Sequence, residues 1–269
     1  MTAPSVQIVA ILNITPDSYV AESRVSSEEQ LISVAKKCVQ DGAHILEVGG
    51  ESTGPGSVDV SLEEELRRVL PAVKAIRQAL PDTLIAVDTW KAEVARQALA
   101  AGAMMINDIT AGRGDPDMYG VIANSGCRYV MMYAKDATPR TIKQDVRYDD
   151  VVATVSAFLA DRIAKAGQAG VQRERIIIDP GLGHFISADP TYSFEILKRL
   201  TEFTSLGPVL VSPSRKSFLA GPENLPVSGR LPATLAATTV AVVHGARFIR
   251  THDVRATALA AEAAVQMGH

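Results

Sequence analysis

Short runs of apolar, β-branched residues alternate along the chain with longer stretches whose apolar residues recur at helical spacing. This alternation is typical of parallel strands connected by helices rather than of a β-meander. The strands that it predicts cover residues 7–12, 44–48, 84–87, 104–106, 128–131, 175–178, 209–211 and 248–249.

The predicted helices have recognisable ends. Ser61 and Glu64 have capping-box spacing and precede a stretch, 66–76, whose apolar residues share one helical face. Other helices are expected to end at a glycine in the left-handed conformation, namely Gly42, Gly102 and Gly170.

The number and length of these units indicate the fold class. Eight units of strand and helix in 269 residues match one (β/α)8 TIM barrel, with residues 1–269 as a single domain. No linker or low-complexity tract interrupts the sequence. A doubly wound parallel sheet is the alternative.

Composition and charge exclude several classes of partner. The chain has 27 Lys and Arg against 30 Asp and Glu, so it lacks the positive field that attracts nucleic acid or anionic membranes. We expect neither as a partner.

Cys38 and Cys127 lack the spacing of a zinc site or disulfide framework and are expected to be buried thiols. The first residues lack a signal-peptide pattern, which favours a cytoplasmic protein.

Polar side chains follow nearly every predicted strand. Only the fifth strand is followed by less polar residues, Met132 and Tyr133. Because a barrel brings the carboxyl ends of its strands to one face, these polar residues are expected to line one pocket. They are Asn13, residues 51–53, Asp88, Asn107, Asp108, Asp179, residues 212–216, Arg250 and His252.

Turn formation and helix capping are the structural alternative for Asp and Asn at strand ends. That alternative does not explain why Lys216, Arg250 and His252 occur late in the chain, after the carboxylates and amides. The division suits a ligand with one hydrogen-bond-donating end and one anionic end. Motifs for dinucleotides, P-loop triphosphates and serine hydrolases are absent from the sequence.

The anionic end of such a ligand fits the last strand. Arg250 and His252 are two residues apart, so an extended strand would direct both to one phosphate. Asn13 and Thr53 offer neutral oxygens that suit hydrated Mg²⁺ and diphosphate.

The donating end fits the earlier strands. A buried carboxylate at Asp179 needs paired donors, which the edge of a 2-amino-pyrimidinone supplies. Asp88 and Asn107 would complete the recognition of a flat heterocycle, and Lys216 would reach its carbonyl oxygen or a ring nitrogen. A structural salt bridge between Lys216 and one of these carboxylates is the competing interpretation.

Several short segments in this order resemble the dihydropteroate synthase family, whose members are pterin-binding TIM barrels. The match runs nearly end to end, and the SRK segment separates these synthases from related pterin-binding methyltransferases. The segments are ILNITPDS at 11–18, GGEST at 49–53, VDT at 87–89, ND at 107–108, DPG at 179–181, SRK at 214–216 and RTHD at 250–253.

The resemblance implies a reaction, a metal and site residues. 6-Hydroxymethyl-7,8-dihydropterin diphosphate and p-aminobenzoate would give 7,8-dihydropteroate and diphosphate, with Mg²⁺, by an SN1-like path. Asp88, Lys216, Arg250 and His252 would be catalytic. The resemblance assigns the pterin subsite to Asp88, Asn107, Met132, Asp179 and Lys216. It assigns the diphosphate subsite to Asn13, Thr53, Arg250 and His252, with Asn13 also as the metal ligand. It assigns the p-aminobenzoate subsite to Pro55, His184, Phe185, Ser214 and Lys216.

The sequence departs from the family pattern at four places. Gly54 stands where an arginine is usual, Tyr133 replaces a histidine, and residues 20–23 replace the Ser-Asp-Gly-Gly that usually follows the first loop. His184 and Phe185 replace Phe-Gly, and GHFIS at 183–187 is similar to the sulfonamide-insensitive synthases. We expect the bulk of Phe185 to weaken sulfonamides more than p-aminobenzoate.

Gly54 also leaves open a catalytically silent paralogue that binds a pterin without converting it. A pterin-dependent methyltransferase subunit is disfavoured by the SRK segment. The late helical stretches, 233–243 and 258–265, carry small apolar residues that suit either the barrel or a second copy, and a homodimer is expected.

Overall fold

The chain forms a closed barrel of parallel strands. A computed structural model describes residues 6–14 and 28–267. Within these residues eight strands follow one another around the barrel in sequence order, and the first also pairs in parallel with the eighth. The TIM-barrel prediction is confirmed, and the doubly wound alternative is wrong because that sheet would have open edges.

Each strand alternates with a helix on the outside of the barrel. The strands are β1 Gln7–Asn13, β2 Ile45–Gly49, β3 Leu84–Asp88, β4 Met105–Asp108, β5 Arg128–Met132, β6 Ile176–Asp179, β7 Val209–Val211 and β8 Ala246–Thr251. The helices are α1 Glu28–Gln40, α2 Leu62–Ala79, α3 Ala92–Ala100, α4 Met118–Ser125, α5 Val151–Gln168, α6 Pro190–Lys198, α7 Leu231–Val243 and α8 Val254–Met267.

The helix ends agree with their sequence signals. The side chain of Ser61 accepts a hydrogen bond from the Glu64 backbone N–H at 3.2 Å, which caps α2. Gly42, Gly102 and Gly170 have φ of 105°, 111° and 94°, which a residue with a side chain rarely adopts. Several strands run one or two residues past their predicted ends, because ladder pairing continues into the first polar residue.

An apolar layer closes the interior of the barrel. Every strand contributes one buried side chain to it, so no channel runs through the barrel at this level. The layer consists of Val9, Ile45, Ala86, Met105, Val130, Ile177, Leu210 and Phe248.

The layer above it is mostly polar. Side chains of a strand alternate between its two faces, so the residue two positions later on each strand again points into the barrel, nearer its carboxyl end. These residues are Ile11, Glu47, Asp88, Asn107, Met132, Asp179, Ser212 and Arg250. The strand period therefore places four ionisable side chains directly above the apolar layer.

Two further expectations concern the cysteines and the membrane. Cys38 and Cys127 are free thiols, but only Cys127 is buried, since Cys38 lies half-buried on α1. Among the helices described, none has the length and apolar character that crossing a bilayer requires.

Candidate active site

A cavity of about 470 Å³ opens at the carboxyl end of the barrel. It lies where the polar layer and the loops after the strands meet. Every site residue that the family resemblance assigned contributes to its wall: Asn13, Thr53, Pro55, Asp88, Asn107, Met132, Asp179, His184, Phe185, Ser214, Lys216, Arg250 and His252. Of the other strand-end residues expected there, Asp108 and Pro213 do not.

Arg250 connects two carboxylates of the polar layer at the base of this cavity. Its Nε donates to Oε1 of Glu47 at 2.5 Å, and Nη2 donates to Oδ2 of Asp88 at 2.8 Å. Loss of hydration raises the pKa of Asp88 to about 7; the positive charge of Arg250 opposes this rise, and the negative charge of Glu47 adds to it. Asp88 therefore changes its charge close to neutral pH.

The amide of Asn107 lies beside this ion pair. Its Nδ2 donates to Oε2 of Glu47 at 3.1 Å, which fixes the orientation of the amide. Its Oδ1 is buried and has no hydrogen-bond partner among the described residues. A buried carbonyl oxygen without a donor is costly, so a ligand that supplies an N–H group here would be stabilised.

Asp179 and Lys216 form the opposite wall. Oδ1 of Asp179 accepts a hydrogen bond from the Gly181 backbone at 2.8 Å, and burial raises the pKa of this carboxyl group. Nζ of Lys216 donates to the Leu182 carbonyl at 3.2 Å. Lost hydration lowers the pKa of Lys216 to about 8 despite the nearby charge of Asp179. No ion pair between Lys216 and a carboxylate occurs in the described part of the chain, so the competing structural interpretation is not supported.

His252 is paired with Ser214 across the last two strands. Nδ1 of His252 lies 3.0 Å from the Ser214 hydroxyl, which also accepts the His252 backbone N–H at 3.2 Å. Burial and the charge of Arg250 lower the pKa of His252 to about 3, so the ring is neutral. In the tautomer in which Nδ1 accepts from the Ser214 hydroxyl, the ring proton lies on Nε2 and can donate to an anionic ligand.

Arg215 holds the turn between Ser214 and Lys216. It adopts φ of 53° and makes a two-point ion pair with Asp253, at 2.8 Å and 2.5 Å. This contact joins the loop after β7 to the loop after β8. The SRK segment is thus anchored by its middle residue, and all three of its residues contribute to the cavity wall.

Phe185 narrows one end of the cavity. It packs against an apolar cluster of Ile109, Met132 and Ala134, and Nζ of Lys216 lies 5.1 Å from its ring centroid. The neighbouring His184 carries a buried Nδ1 that lacks a partner among the residues described. Burial and the charges of Lys143 and Lys135 lower the pKa of His184, which keeps it neutral.

Two residues near strand ends are structural. Asp108 is buried outside the cavity, where it accepts hydrogen bonds from Thr110, Gly112 and the Tyr129 hydroxyl. It forms the turn after β4, as the structural alternative expected. Tyr133 packs on Phe158 with ring centroids 5.1 Å apart, between the barrel and α5. Tyr133, which replaces the usual histidine, is not among the residues that line the cavity.

The metal ligand predicted at Asn13 lies at the end of β1. No group of three or more acidic, histidine or cysteine side chains is placed for a metal within the ranges 6–14 and 28–267. The amide of Asn13 and the hydroxyl of Thr53 fit Mg²⁺ that keeps its waters and is held largely by substrate phosphates. The first-loop residues 15–18 and 20–23 lie outside the described residues.

The sequence interpretation missed Arg230, which lines the cavity, and two charged residues that hold the site together, Glu47 and Arg140. Glu47 lies inside a predicted strand, where a lone charge between apolar residues was a readable signal of an inward-facing partner. Arg140 comes from the loop after β5 and contacts the loop after β2. Nothing in the sequence places these two loops together.

A parallel eight-stranded barrel with a polar cavity at its carboxyl end defines a TIM-barrel enzyme site. Residues 9–252 match the family model described as pterin binding enzyme. The chain therefore belongs to the pterin-binding enzyme family.

Curated relatives and solved structures point to one activity. The dihydropteroate synthase of Escherichia coli K12 is 38% identical over 251 residues, covering 93% of this chain and 87% of that protein. The Synechocystis dihydropteroate synthase is 40% identical over 253 residues, with 93% and 86% covered.

Similar structures have been solved with ligands. The Yersinia pestis dihydropteroate synthase in a sulfonamide drug complex has a TM-score of 0.90 at 31% identity, covering 98% of this chain and 94% of that one. The Coxiella burnetii dihydropteroate synthase in complex with pteroic acid has a TM-score of 0.89 at 33% identity, covering 100% and 95%.

Proposed function

We propose that this chain is a dihydropteroate synthase, a transferase, and that the cavity joins 6-hydroxymethyl-7,8-dihydropterin diphosphate to p-aminobenzoate. The C–O bond of the pterin methylene breaks, and its electron pair leaves with diphosphate. The amine nitrogen of p-aminobenzoate then forms the new C–N bond and loses one proton. Its relatives among dihydropteroate synthases support this activity over a silent pterin-binding paralogue.

The pterin subsite rests on the polar layer of the barrel. Asp179 accepts the paired N–H donors of the 2-amino-pyrimidinone edge, and the partnerless Oδ1 of Asn107 accepts a further ring donor. Lys216 donates to the ring carbonyl or a ring nitrogen, and Met132 packs against the face of the ring. The single observation that carries the proposal is the meeting of Asp179, Asn107 and Lys216 around one cavity.

The diphosphate subsite lies at the other end. The neutral His252 donates one hydrogen bond, Arg250 contributes positive charge, and Asn13 and Thr53 contribute neutral oxygen and amide groups. Mg²⁺, held by Asn13 and the diphosphate, would neutralise charge on the leaving group. Arg250 is already shared between Glu47 and Asp88, so His252 carries more of this task than the sequence alone indicated, and a bound Mg²⁺ would supply the remaining positive charge.

An SN1-like path suits these charges. The electron-rich dihydropterin stabilises a cation at its methylene once diphosphate departs, and an ionised Asp88 adds a negative charge nearby. Pro55, His184, Phe185 and Ser214 shape the p-aminobenzoate subsite, with Lys216 shared between the two substrates. Positioning and charge therefore replace a strong general base.

The assembly and location of the protein belong to the same proposal. Exposed apolar side chains of Val240, Val243 and Leu259 on α7 and α8 support a homodimer. The two free thiols are consistent with a reducing, cytoplasmic location. Sedimentation equilibrium of the purified protein tests the dimer, and a monomer at micromolar concentration contradicts it.

Titration calorimetry with dihydropterin diphosphate tests the pterin assignment. We expect Asp179→Asn and Lys216→Ala each to weaken binding by about 30-fold or more, because each removes a charge-assisted hydrogen bond worth about 2 kcal/mol. Asp145→Asn, an exposed carboxylate on the loop after β5, is the control and should bind like wild type. Unchanged affinity in both cavity variants would contradict the assignment.

A further inference from the structure

The segment that carries Thr53 and Pro55, residues 51–60 between β2 and α2, lacks regular helix or strand. It nevertheless forms one wall of the cavity. Because irregular segments lose conformational entropy when they are ordered, specific contacts must hold it in place. Side chains from two other loops supply these contacts.

The first contact is made by Lys91. Nζ of Lys91, at the start of α3, lies 2.5 Å from Oε2 of Glu51 and 2.5 Å from Oε2 of Glu65. The side chain of Glu51 is only 4% exposed, so its charge needs a close partner. Lys91 thereby ties the beginning of segment 51–60 to α2 and α3.

The second contact is made by Arg140. Arg140, in the loop between β5 and α5, donates through Nη1 to the Ser52 carbonyl and to the Ser57 hydroxyl, each at 2.8 Å. Its other donors form ion pairs with Glu51 and Asp59. One guanidinium group thus reaches both ends of segment 51–60, which a lysine with its single ammonium group could not reproduce.

The next residue extends this connection to the opposite wall. The backbone N–H of Thr141 donates to the Thr53 carbonyl at 3.2 Å, and its hydroxyl donates to the His184 carbonyl at 2.8 Å. Arg140 and Thr141 together therefore join the segment at Thr53 to the segment at His184 and Phe185. These are the two sides of the p-aminobenzoate subsite.

We propose that Arg140 is a positioning residue that sets segment 51–60 for the second substrate. Gly54 offers no side chain to that segment, and Lys91 holds only its beginning through Glu51, so the placement of the rest depends on Arg140, which reaches in from the loop after β5. Arg140 forms no wall of the cavity, and it acts through Thr53 and Pro55. This inference rests on the proposed synthase function.

Steady-state kinetics of Arg140→Ala with both substrates test the role in catalysis. We expect the KM for p-aminobenzoate to rise about tenfold, while the Kd of dihydropterin diphosphate, held by the barrel interior, changes less than about twofold. Arg140→Lys keeps the charge and should recover part of the loss. Arg147→Ala, which removes an exposed arginine of the same loop, should leave both constants within about twofold of wild type.

Hydrogen exchange of the free protein tests the placement without any substrate. Amides of residues 51–60 should exchange at least about tenfold faster in Arg140→Ala than in wild type, and amides of the barrel strands should be unchanged. Wild-type protection of this segment in Arg140→Ala overturns the inference, whether or not the protein is active. In an active wild type, an unchanged KM for p-aminobenzoate, or equal losses in Arg147→Ala, also overturns it. An inactive wild type contradicts the proposed function instead.

Discussion

Nη2 of Arg250 lies 2.8 Å from Oδ2 of Asp88, while Nε of the same guanidinium contacts the fully buried Glu47. The cation of the last strand is thus shared between two carboxylates of the second and third strands. This arrangement links the proposed diphosphate end of the cavity to the carboxylate proposed to face the reacting methylene. A change at Glu47 should therefore alter both the charge of Asp88 and catalysis.

The pH dependence of kcat/KM for dihydropterin diphosphate should be bell-shaped. Asp88, with its pKa raised to about 7, must lose its proton to stabilise the methylene cation, so activity rises with pH through that value. Lys216, with its pKa lowered to about 8, loses its charge above that value, so activity falls again. Initial rates at low substrate from pH 5.5 to 9.5 measure both limbs.

Glu47→Gln provides the matched variant for the acid limb. The negative charge of Glu47 raises the pKa of Asp88, so its removal should shift the acid limb to lower pH by about one unit. The alkaline limb should move less, since Asp179 and Arg250 are the charges that act on Lys216. An unshifted acid limb in Glu47→Gln would mean that another group controls it.

Phe185 should discriminate between sulfonamides and p-aminobenzoate. Its ring lies under Lys216 and fills the space beside Met132, so Phe185→Gly should open room for the larger sulfonyl group. We expect sulfonamide inhibition to tighten about tenfold or more, with a smaller change in the KM for p-aminobenzoate. Phe185→Leu, which keeps most of the bulk, is the control, and equal inhibition of wild type and Phe185→Gly refutes the idea.

Gly181 should be intolerant of any side chain. Its φ is 73°, and a Cβ there would lie 2.5 Å from the Tyr133 carbonyl oxygen. Gly181→Ala is expected to lower the free energy of unfolding by about 3 kcal/mol or more, from left-handed strain and steric overlap together. Urea denaturation measures this loss.

Gly221 is the matched control for the steric part of that loss. It has φ of 67° but nothing within 4 Å of an added Cβ, so Gly221→Ala should cost only about 1–2 kcal/mol of backbone strain. Similar losses in the two variants would show that the contact with Tyr133 contributes little. Gly181 also donates to Asp179, so its replacement should weaken pterin binding as well.

The barrel and most of its site were predictable from sequence because strand period is a local property. An inward-facing residue such as Val9, Ile177 or Phe248 fixes the direction of the residue two positions later. Asp179 and Arg250 could therefore be assigned to one pocket without coordinates. Position at a strand end, taken alone, overassigned Asp108, because Asp108 follows the inward-facing Asn107 and the strand period directs it to the opposite face.

Contacts between loops could not be predicted in the same way. Arg140 is 89 residues from Glu51 in sequence, and no periodicity relates them. The pairing of Arg250 with Glu47 spans 203 residues and depends on closure of the barrel, which pairs β8 with β1 and so places β8 only one strand away from β2. Such contacts depend on tertiary geometry rather than on any pattern within one segment.

The central claim, that this cavity condenses the two substrates, is tested most directly by the stoichiometry of turnover. Purified protein with dihydropterin diphosphate, p-aminobenzoate and Mg²⁺ should release one diphosphate for each dihydropteroate formed. A diphosphate assay measures the first product and mass spectrometry measures the second, in the same samples. Lys216→Ala and Asp179→Asn should abolish both products. Pterin binding without diphosphate release by the wild type would contradict the account and identify a silent pterin-binding protein.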